Sequence, residues 1–264
     1  MKTLILCHGV LGFGSAGFLN FIPVTYFKGI AESINEEKIR VLEPSVSAIG
    51  TIATRANDLI QFINEKTQES DELYFIAHSM GGLDVMQALP ELSKIRNVKA
   101  VTTIGTPYGG SEVADVIYNK TNNSITRAIP LLFRPYLERV TETALKELTT
   151  TESAQRNSFA NIPDTVKVTI ITGNILNTNN AMFLFDLAAA IGGINKIPND
   201  GLVTVASALS HVPADQPNIH VITELWPIDH IGEIGWFVDR EEHINRYCSV
   251  IEDMTGLERR SFLK

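Results

Sequence analysis

Short apolar runs rich in β-branched residues alternate with helical patterns along the chain. The runs that we predict as strands lie at residues 3–7, 39–42, 73–77, 98–104, 166–172 and 219–225. Several of them are apolar almost throughout, which is typical of strands that are covered on both faces of a parallel sheet. The alternation therefore predicts an α/β protein, with a mostly parallel central sheet of about six strands flanked by helices.

Three longer stretches, at residues 53–66, 80–95 and 239–254, carry a helical spacing of apolar residues. The stripe predicted for the first helix consists of Ala53, Ala56, Leu59, Ile60 and Ile63. Pro90 is expected to kink the second helix or to end its regular part. The third helix opens on Asp239 with Glu242 three residues later, which is the spacing of an N-terminal capping box.

The stretch between residues 108 and 163 breaks this rhythm. We predict one domain over residues 1–264, in which an insertion at about 108–163 forms a helical cap or lid over the active face. An apolar stripe at residues 129–133 has two interpretations. It opens to present its apolar side to a lipid or acyl chain, or it closes the cap on the sheet, and periodicity does not separate the two.

A serine lies at the junction between a predicted strand and a predicted helix. The strand at 73–77 runs directly into the segment AHSMGG at residues 77–82. A nucleophile elbow holds its serine on such a sharp turn and needs small residues two positions to either side, here Ala77 and Gly81. The following helix points free N–H groups and its positive dipole end at the reacting oxygen. Ser79 is the candidate nucleophile, and a turn serine without chemistry is the alternative.

A serine nucleophile needs a base and an orienting acid, and both follow the serine in nucleophile-elbow proteins. His230 is the candidate base because it follows the predicted strand 219–225 in a loop at its C-terminal edge, with His211 as the fallback. Asp200, in the turn PNDG, is the candidate acid, although this segment also suits ordinary turn chemistry. Asp229 and Asp186 are its rivals, and Asp229 is the weaker because sequence neighbours rarely aim their side chains at one another.

An oxyanion hole requires two backbone N–H donors near the serine. We expect one from Met80, which follows the nucleophile, and the other from Val10 in the loop after the first strand. We discount a phosphate-binding loop because the loop after the first strand has no Walker lysine at the right spacing. His8 and His78 adjoin the turns and are expected to be structural.

Composition narrows the partners and the location. The net charge is −8, and without a Lys/Arg run we expect no nucleic-acid partner. No apolar stretch approaches the roughly 20 residues that cross a bilayer, and the one before His8 is too short for a signal peptide. We expect a cytoplasmic protein, with a secreted mature form as the alternative. Cys7 and Cys248 are expected to be buried free thiols, with a single disulfide as the alternative.

In combination, these motifs resemble the bacterial true lipases of the pseudomonad and Proteus type. The similar blocks lie at residues 8–13, 77–83, 101–107, 110–112, 114–115, 148–150, 199–203 and 229–231, and so span most of the chain. The run VTTIGTP and the block NDGLV are together specific to that family. The resemblance implies an α/β-hydrolase fold, a triad of Ser79, Asp200 and His230, and oxyanion donors at Val10 and Met80. It agrees with the assignment made from spacing.

Two departures qualify the resemblance. The family holds a structural calcium near its histidine through an aspartate two residues later, where this chain has Gly232. Near Phe183 only Asp186 offers a second carboxylate, so we predict no metal and no cofactor. The insertion is also shorter than the lid region of large secreted lipases. We therefore expect an ester or lipid substrate, with transient contact of the cap with a lipid interface as an open option.

The resemblance implies a carboxylic-ester hydrolase, either a lipase or an esterase, that works through an acyl-enzyme. An acyltransferase or a thioesterase with the same triad is the alternative, because the fold hosts all of these activities. A non-catalytic binding protein of this fold is a third hypothesis, and it requires a broken triad.

Overall fold

Six parallel strands pair in one sheet, in the order β2-β1-β3-β4-β5-β6. The computed structural model describes residues 1–10, 25–48, 50–121, 141–176, 183–222 and 225–264. The strands are β1 (Lys2–Cys7), β2 (Arg40–Leu42), β3 (Glu72–His78), β4 (Asn97–Ile104), β5 (Lys167–Ile171) and β6 (Ile219–Val221). The predicted parallel sheet is confirmed, and each predicted strand has its counterpart. The last is shorter than predicted, and residues 223–224 lie outside the described residues.

Helices cover both faces of this sheet. The described helices are α1 (Ile30–Ser33), α2 (Ile52–Lys66), α3 (Met80–Ile95), α4 (Glu112–Thr121), α5 (Thr150–Ser153), α6 (Phe183–Gly192), α7 (Val205–Ala208), α8 (Arg240–Thr255) and α9 (Arg259–Phe262). A π-helical turn spans Thr141–Leu145, and a 3₁₀ turn spans Gly232–Ile234. The three predicted helices are confirmed as α2, α3 and α8. At the start of α8, the Asp239 side chain accepts the Glu242 N–H at 2.9 Å, as the capping pattern predicts.

The alternation of side chains along β1 divides the core into two layers. Ile5 and Cys7 face the layer that contains α2 and α3. Leu4 and Leu6 face the layer that contains Cys248 of α8. Successive residues of a strand point to opposite faces, so the two cysteines lie on opposite sides of the sheet. Both are buried free thiols.

One local prediction is wrong and another is answered in part. Helix α3 continues through Pro90 to Ile95, so its regular part does not end at the proline, and the alternative, a kink, stays a prediction. A proline inside a helix costs about 3 kcal/mol, and here Leu89 and Leu92, buried to either side of it, keep the helix packed on the core. Ala53 is exposed, whereas Ile52 and Arg55 occupy the buried stripe of α2.

The insertion between β4 and β5 is described in part. Its described elements are α4, the π-helical turn and α5, and the apolar stripe at 129–133 lies outside the described residues. The cap therefore stays a prediction. In the described ranges, no helix has both the length and the apolar character that a bilayer crossing needs.

Candidate active site

A single residue makes the turn between β3 and α3. Ser79 has φ 56° and ψ −131°, a backbone conformation that residues with a side chain rarely adopt. Its N–H donates to the carbonyl oxygen of Ile104 at 2.9 Å, and its own carbonyl oxygen accepts the Thr106 hydroxyl at 3.0 Å. These bonds to the end of β4 hold the strained turn in the geometry of a nucleophile elbow.

Close packing explains the small residues after the serine. A Cβ atom on Gly81 would lie 2.6 Å from the carbonyl oxygens of Cys7 and His8, and one on Gly82 would overlap the Thr106 side chain. The first turn of α3 can therefore approach the ends of β1 and β4 only as glycine. This is the physical basis of the pattern that the sequence shows.

Three distant side chains meet at this turn. His230 Nε2 lies 2.9 Å from Ser79 Oγ, and His230 Nδ1 lies 2.8 Å from Asp200 Oδ2. The other carboxylate oxygen of Asp200 accepts the N–H groups of Leu202 and Val203 at 2.9 and 2.8 Å. Oδ2 is thus left for the imidazole, which keeps its proton on Nδ1 and turns the Nε2 lone pair toward the serine hydroxyl.

The rival residues lie elsewhere. His211 is exposed in the turn after α7, and Asp186 is exposed in α6. The carboxylate of Asp229 bonds the backbone three residues later, where Oδ1 accepts the Gly232 N–H at 2.7 Å. The structure thus brings together the three residues that the spacing singled out as nucleophile, base and acid.

A second group of polar side chains, which the sequence pattern did not indicate, lies beside the base. His78 Nδ1 is 2.7 Å from the Tyr26 hydroxyl, and His78 Nε2 is 3.0 Å from Glu233 Oε2. The same Glu233 oxygen lies 3.5 Å from His230 Nδ1. His78, expected to be structural, therefore packs against the base, with ring centroids 4.4 Å apart. The one signal for Glu233 was its position three residues after His230.

Burial controls the charges in this group. It lowers the pKa of His78 well below its ordinary value, so this imidazole is neutral at pH 7. Burial raises the pKa of Glu233 well above its ordinary value, and the nearby Asp200 carboxylate adds to the rise. No Lys or Arg side chain of the described residues forms an ion pair with Glu233.

A buried arginine holds the loop after β1. Arg55 Nη2 donates to the carbonyl oxygens of His8 at 2.8 Å and Gly9 at 3.3 Å, and Nε donates to Asp84 at 2.8 Å. Because a trans peptide is planar, the Gly9 C=O and the Val10 N–H point in opposite directions. Arg55 therefore turns the Val10 N–H away from the guanidinium, and Val10 lines the same cleft as Ser79. An arginine on the buried stripe of α2 was the sequence signal for this role.

Ser79 and His230 open onto an apolar cleft of about 560 Å³, a size that suits a small-molecule ligand. Most of its wall comes from aliphatic and aromatic side chains, among them Val10, Val113, Leu145, Leu148, Phe185 and Leu202. Such a wall fits a hydrocarbon chain and offers few partners to a charged group.

Calcium does not fit the described residues near His230. Calcium takes six to eight oxygen ligands. Gly232 brings no carboxylate, Asp186 is exposed in α6, and Asp229 already accepts a backbone N–H. In the parts of the chain that the structure describes, the one convergent group of metal-binding side chains is His78, His230 and Glu233, of which two offer nitrogen.

The parallel sheet and the serine on the turn after its third strand define the α/β-hydrolase fold. No protein-family model matches the chain. The chain is similar to the triacylglycerol lipase of Pseudomonas fragi, with 29% identity over 165 residues that cover 61% of this chain and 48% of the relative. It is also similar to triacylglycerol lipase 2 of Saccharomyces cerevisiae, with 32% identity over 114 residues that cover 40% of this chain and 35% of the relative. The chain thus spans less than half the length of these curated relatives.

Solved structures of lipases share the fold. The Staphylococcus hyicus lipase superposes with a TM-score of 0.66 and 18% identity, over 96% of this chain and 95% of that chain. The mature Bacillus licheniformis lipase BlEst2 superposes with a TM-score of 0.65 and 21% identity, over 95% of this chain and 90% of that chain. Because the identities are low, these likenesses establish the fold alone.

Proposed function

We propose that the chain is a carboxylic-ester hydrolase that cleaves esters of apolar acyl groups through a triad of Ser79, His230 and Asp200. The observation that carries the proposal is the pair of short contacts that links the serine hydroxyl to the imidazole and the imidazole to the carboxylate. Ser79 and His230 line a cleft with an apolar wall. The similarity to triacylglycerol lipases supports an ester substrate.

In the first half-reaction Ser79 Oγ attacks the ester carbonyl carbon while its proton passes to Nε2 of His230. The carbonyl oxygen becomes an oxyanion, which accepts hydrogen bonds from the backbone N–H groups of Val10 and Met80. One such donor contributes about 3 kcal/mol to the stabilisation of the transition state. Asp200 stabilises the imidazolium that forms. The imidazolium then protonates the departing alkoxide, and Ser79 is left acylated.

In the second half-reaction a water molecule loses a proton to His230 Nε2 and attacks the acyl-enzyme carbonyl. The oxyanion collapses, the Ser79–acyl bond breaks, and the proton on His230 returns to Ser79 Oγ. The products are a carboxylic acid and the free enzyme, so the base is regenerated in each cycle.

The finer assignment to the pseudomonad and Proteus type of lipase is part of the same proposal. It is supported by the VTTIGTP and NDGLV blocks and by the 29% identity to the P. fragi enzyme. The apolar wall equally suits a lipase and an esterase, so chain-length preference has to be measured.

The test is turnover of p-nitrophenyl esters from acetate to palmitate, together with labelling by an organophosphonate. We expect hydrolysis and stoichiometric labelling of Ser79, and loss of both in Ser79→Ala. Ser93→Ala, farther along the same helix, is the matched control and should keep both. Asp200→Asn should lower kcat by about 10⁴-fold, because the imidazole then adopts the wrong tautomer.

Two results would overturn the proposal. One is the absence of turnover at every chain length together with the absence of labelling at Ser79. The other is acyl transfer to an added alcohol that outcompetes hydrolysis, which would identify an acyltransferase instead.

A further inference from the structure

The base His230 and two side chains beside it, His78 and Glu233, bring polar atoms close together. His78 Nε2 and Glu233 Oε2 are 3.0 Å apart, and Glu233 Oε2 and His230 Nδ1 are 3.5 Å apart. All three ligand atoms lie within 4.8 Å of one another, and all three residues are buried. The group joins two imidazole nitrogens to a carboxylate that has no Lys or Arg partner among the described residues.

The donor atoms are of the kinds that a zinc-type ion binds, and two of their separations, 3.0 and 3.5 Å, are close to those of a tetrahedral site. Zinc binds histidine nitrogen and carboxylate oxygen at about 2.0–2.2 Å with tetrahedral geometry, which puts neighbouring ligand atoms about 3.3 Å apart. Asp200 Oδ2, which lies 2.8 Å from His230 Nδ1, is the candidate for a fourth ligand. Two neutral imidazoles and two carboxylates would balance the charge of a divalent ion. Imidazole ligands favour zinc, copper, nickel or cobalt over calcium or magnesium.

We propose that His78, His230 and Glu233 form a binding site for a divalent transition-metal ion of the zinc type, and that the bound ion inhibits hydrolysis. The inhibitory part of this proposal rests on the proposed function. The binding part depends only on the ligand geometry.

The inhibition follows from the position of the proton on the His230 ring. In the metal-free protein the His230 proton sits on Nδ1, facing Asp200, and the Nε2 lone pair faces Ser79. A metal on Nδ1 requires the lone pair of that nitrogen, so the proton moves to Nε2. The ring stays neutral, but Nε2 then donates to Ser79 Oγ and cannot accept its proton. His78 binds the ion through its Nε2 lone pair, so its own proton lies on Nδ1 and faces the Tyr26 oxygen. Any proton that Glu233 holds in the metal-free protein is released to solvent when its carboxylate binds the ion.

The binding test uses Co²⁺ as a spectroscopic stand-in for Zn²⁺. We expect one equivalent of Co²⁺ to give the intense visible bands of a four-coordinate ion, and Zn²⁺ to abolish them by displacement. The wild-type chain is compared with Glu233→Gln and His78→Gln, each of which removes one ligand. Loss of a residue that only hydrogen-bonds to a metal ligand weakens metal affinity 10- to 100-fold. Loss of a direct ligand should therefore weaken it by at least about 100-fold.

The inhibition test measures ester turnover against Zn²⁺ concentration, with each variant normalised to its own metal-free rate. Wild type should be inhibited slowly, because the site is buried, and a chelator should restore its activity. The double variant His211→Gln/His220→Gln, which removes two exposed histidines, is the matched control and should keep wild-type sensitivity.

The outcomes separate the two proposals. Cobalt bands in a chain without ester turnover would leave the site standing and overturn the proposed function. Active protein whose cobalt spectrum is that of a six-coordinate ion would overturn the site. Equal zinc sensitivity of Glu233→Gln, His78→Gln and wild type would also overturn it, and loss of sensitivity in the double control would assign the effect to surface histidines.

Discussion

Replacement of Arg55 by lysine should impair catalysis without removing a triad residue. The guanidinium bonds Asp84 and, in addition, the carbonyl oxygens of Ser47 at 2.7 Å and His8 at 2.8 Å. Lysine keeps the positive charge beside Asp84, but its single ammonium cannot reproduce this fork. The peptide that precedes Val10 would therefore lose the anchor that sets the direction of the Val10 N–H.

The magnitude follows from the contacts that are lost. A hydrogen bond to a charged group contributes about 1.5–3 kcal/mol, and lysine loses at least one such bond to a buried carbonyl. We therefore expect the free energy of unfolding to fall by about 2–4 kcal/mol. Full removal of one oxyanion donor lowers kcat by about 10²–10³-fold. A loosened donor should lower kcat by about 10- to 100-fold and change KM by less than about twofold, because the oxyanion exists only in the transition state.

The assay combines steady-state kinetics on a p-nitrophenyl ester, titration of active sites with an organophosphonate, and urea unfolding. Arg96→Lys is the matched control, since Arg96 bonds Thr67 and the carbonyl of Ile95 at the far end of α3. It should keep kcat and lose less than about 1 kcal/mol. If Arg55→Lys is less stable but has wild-type kcat per titrated site, Arg55 supports the fold alone and the argument about the Val10 peptide is refuted.

Three further predictions concern the turn, the cleft and acid stability. Gly82→Ala should destabilise the chain by about 2–3 kcal/mol in thermal or urea unfolding, because its Cβ overlaps Thr106; wild-type stability would contradict the packing argument. Leu148→Trp should shift the optimum of kcat/KM toward shorter acyl chains by filling the cleft, and an unchanged profile over p-nitrophenyl esters would contradict the acyl assignment. Burial lowers the pKa of His8 and of His243 from 6.5 to about 4 in the folded chain. The unfolded chain therefore takes up protons first as the pH falls below 6.5, and stability is lost down to about pH 4. Each histidine should lower the free energy of unfolding by about 2 kcal/mol between pH 7 and pH 5, measured by urea unfolding. Replacement of either histidine by Asn should make the free energy of unfolding depend less steeply on pH, and an equally steep dependence in wild type and variant would contradict this.

Local patterns predicted the elements and the three residues of the candidate triad. Apolar runs located the strands, and the capping spacing at Asp239 located the start of α8, because both signals act between near neighbours. The elbow around Ser79 was visible for the same reason, since strand, serine and glycines are contiguous. His230 and Asp200 could be selected because strand ends of a parallel sheet converge at one edge. Their catalytic role stays a proposal that the kinetic variants test.

Long-range packing decided what the patterns could not. Glu233 meets His78 across 155 positions of sequence, and Arg55 meets the carbonyl of His8 across 47. A charged residue among the apolar positions of a helix is ordinarily exposed to solvent. Arg55 is buried only because α2 packs close to the end of β1. The prediction that Ala53 is buried was wrong because the elements that α2 packs against decide which face of the helix is buried.

The sequence by itself thus determined the strand and helix pattern, the strained serine turn and the small residues that it requires, because these depend on contacts within a few positions. Only the tertiary structure decided which histidine faces the serine, which way the loop after β1 turns its amides, and that a second imidazole and a buried glutamate lie against the base. Those contacts join segments far apart in the chain, and they exist only once both faces of the sheet are covered and water is excluded from its edge.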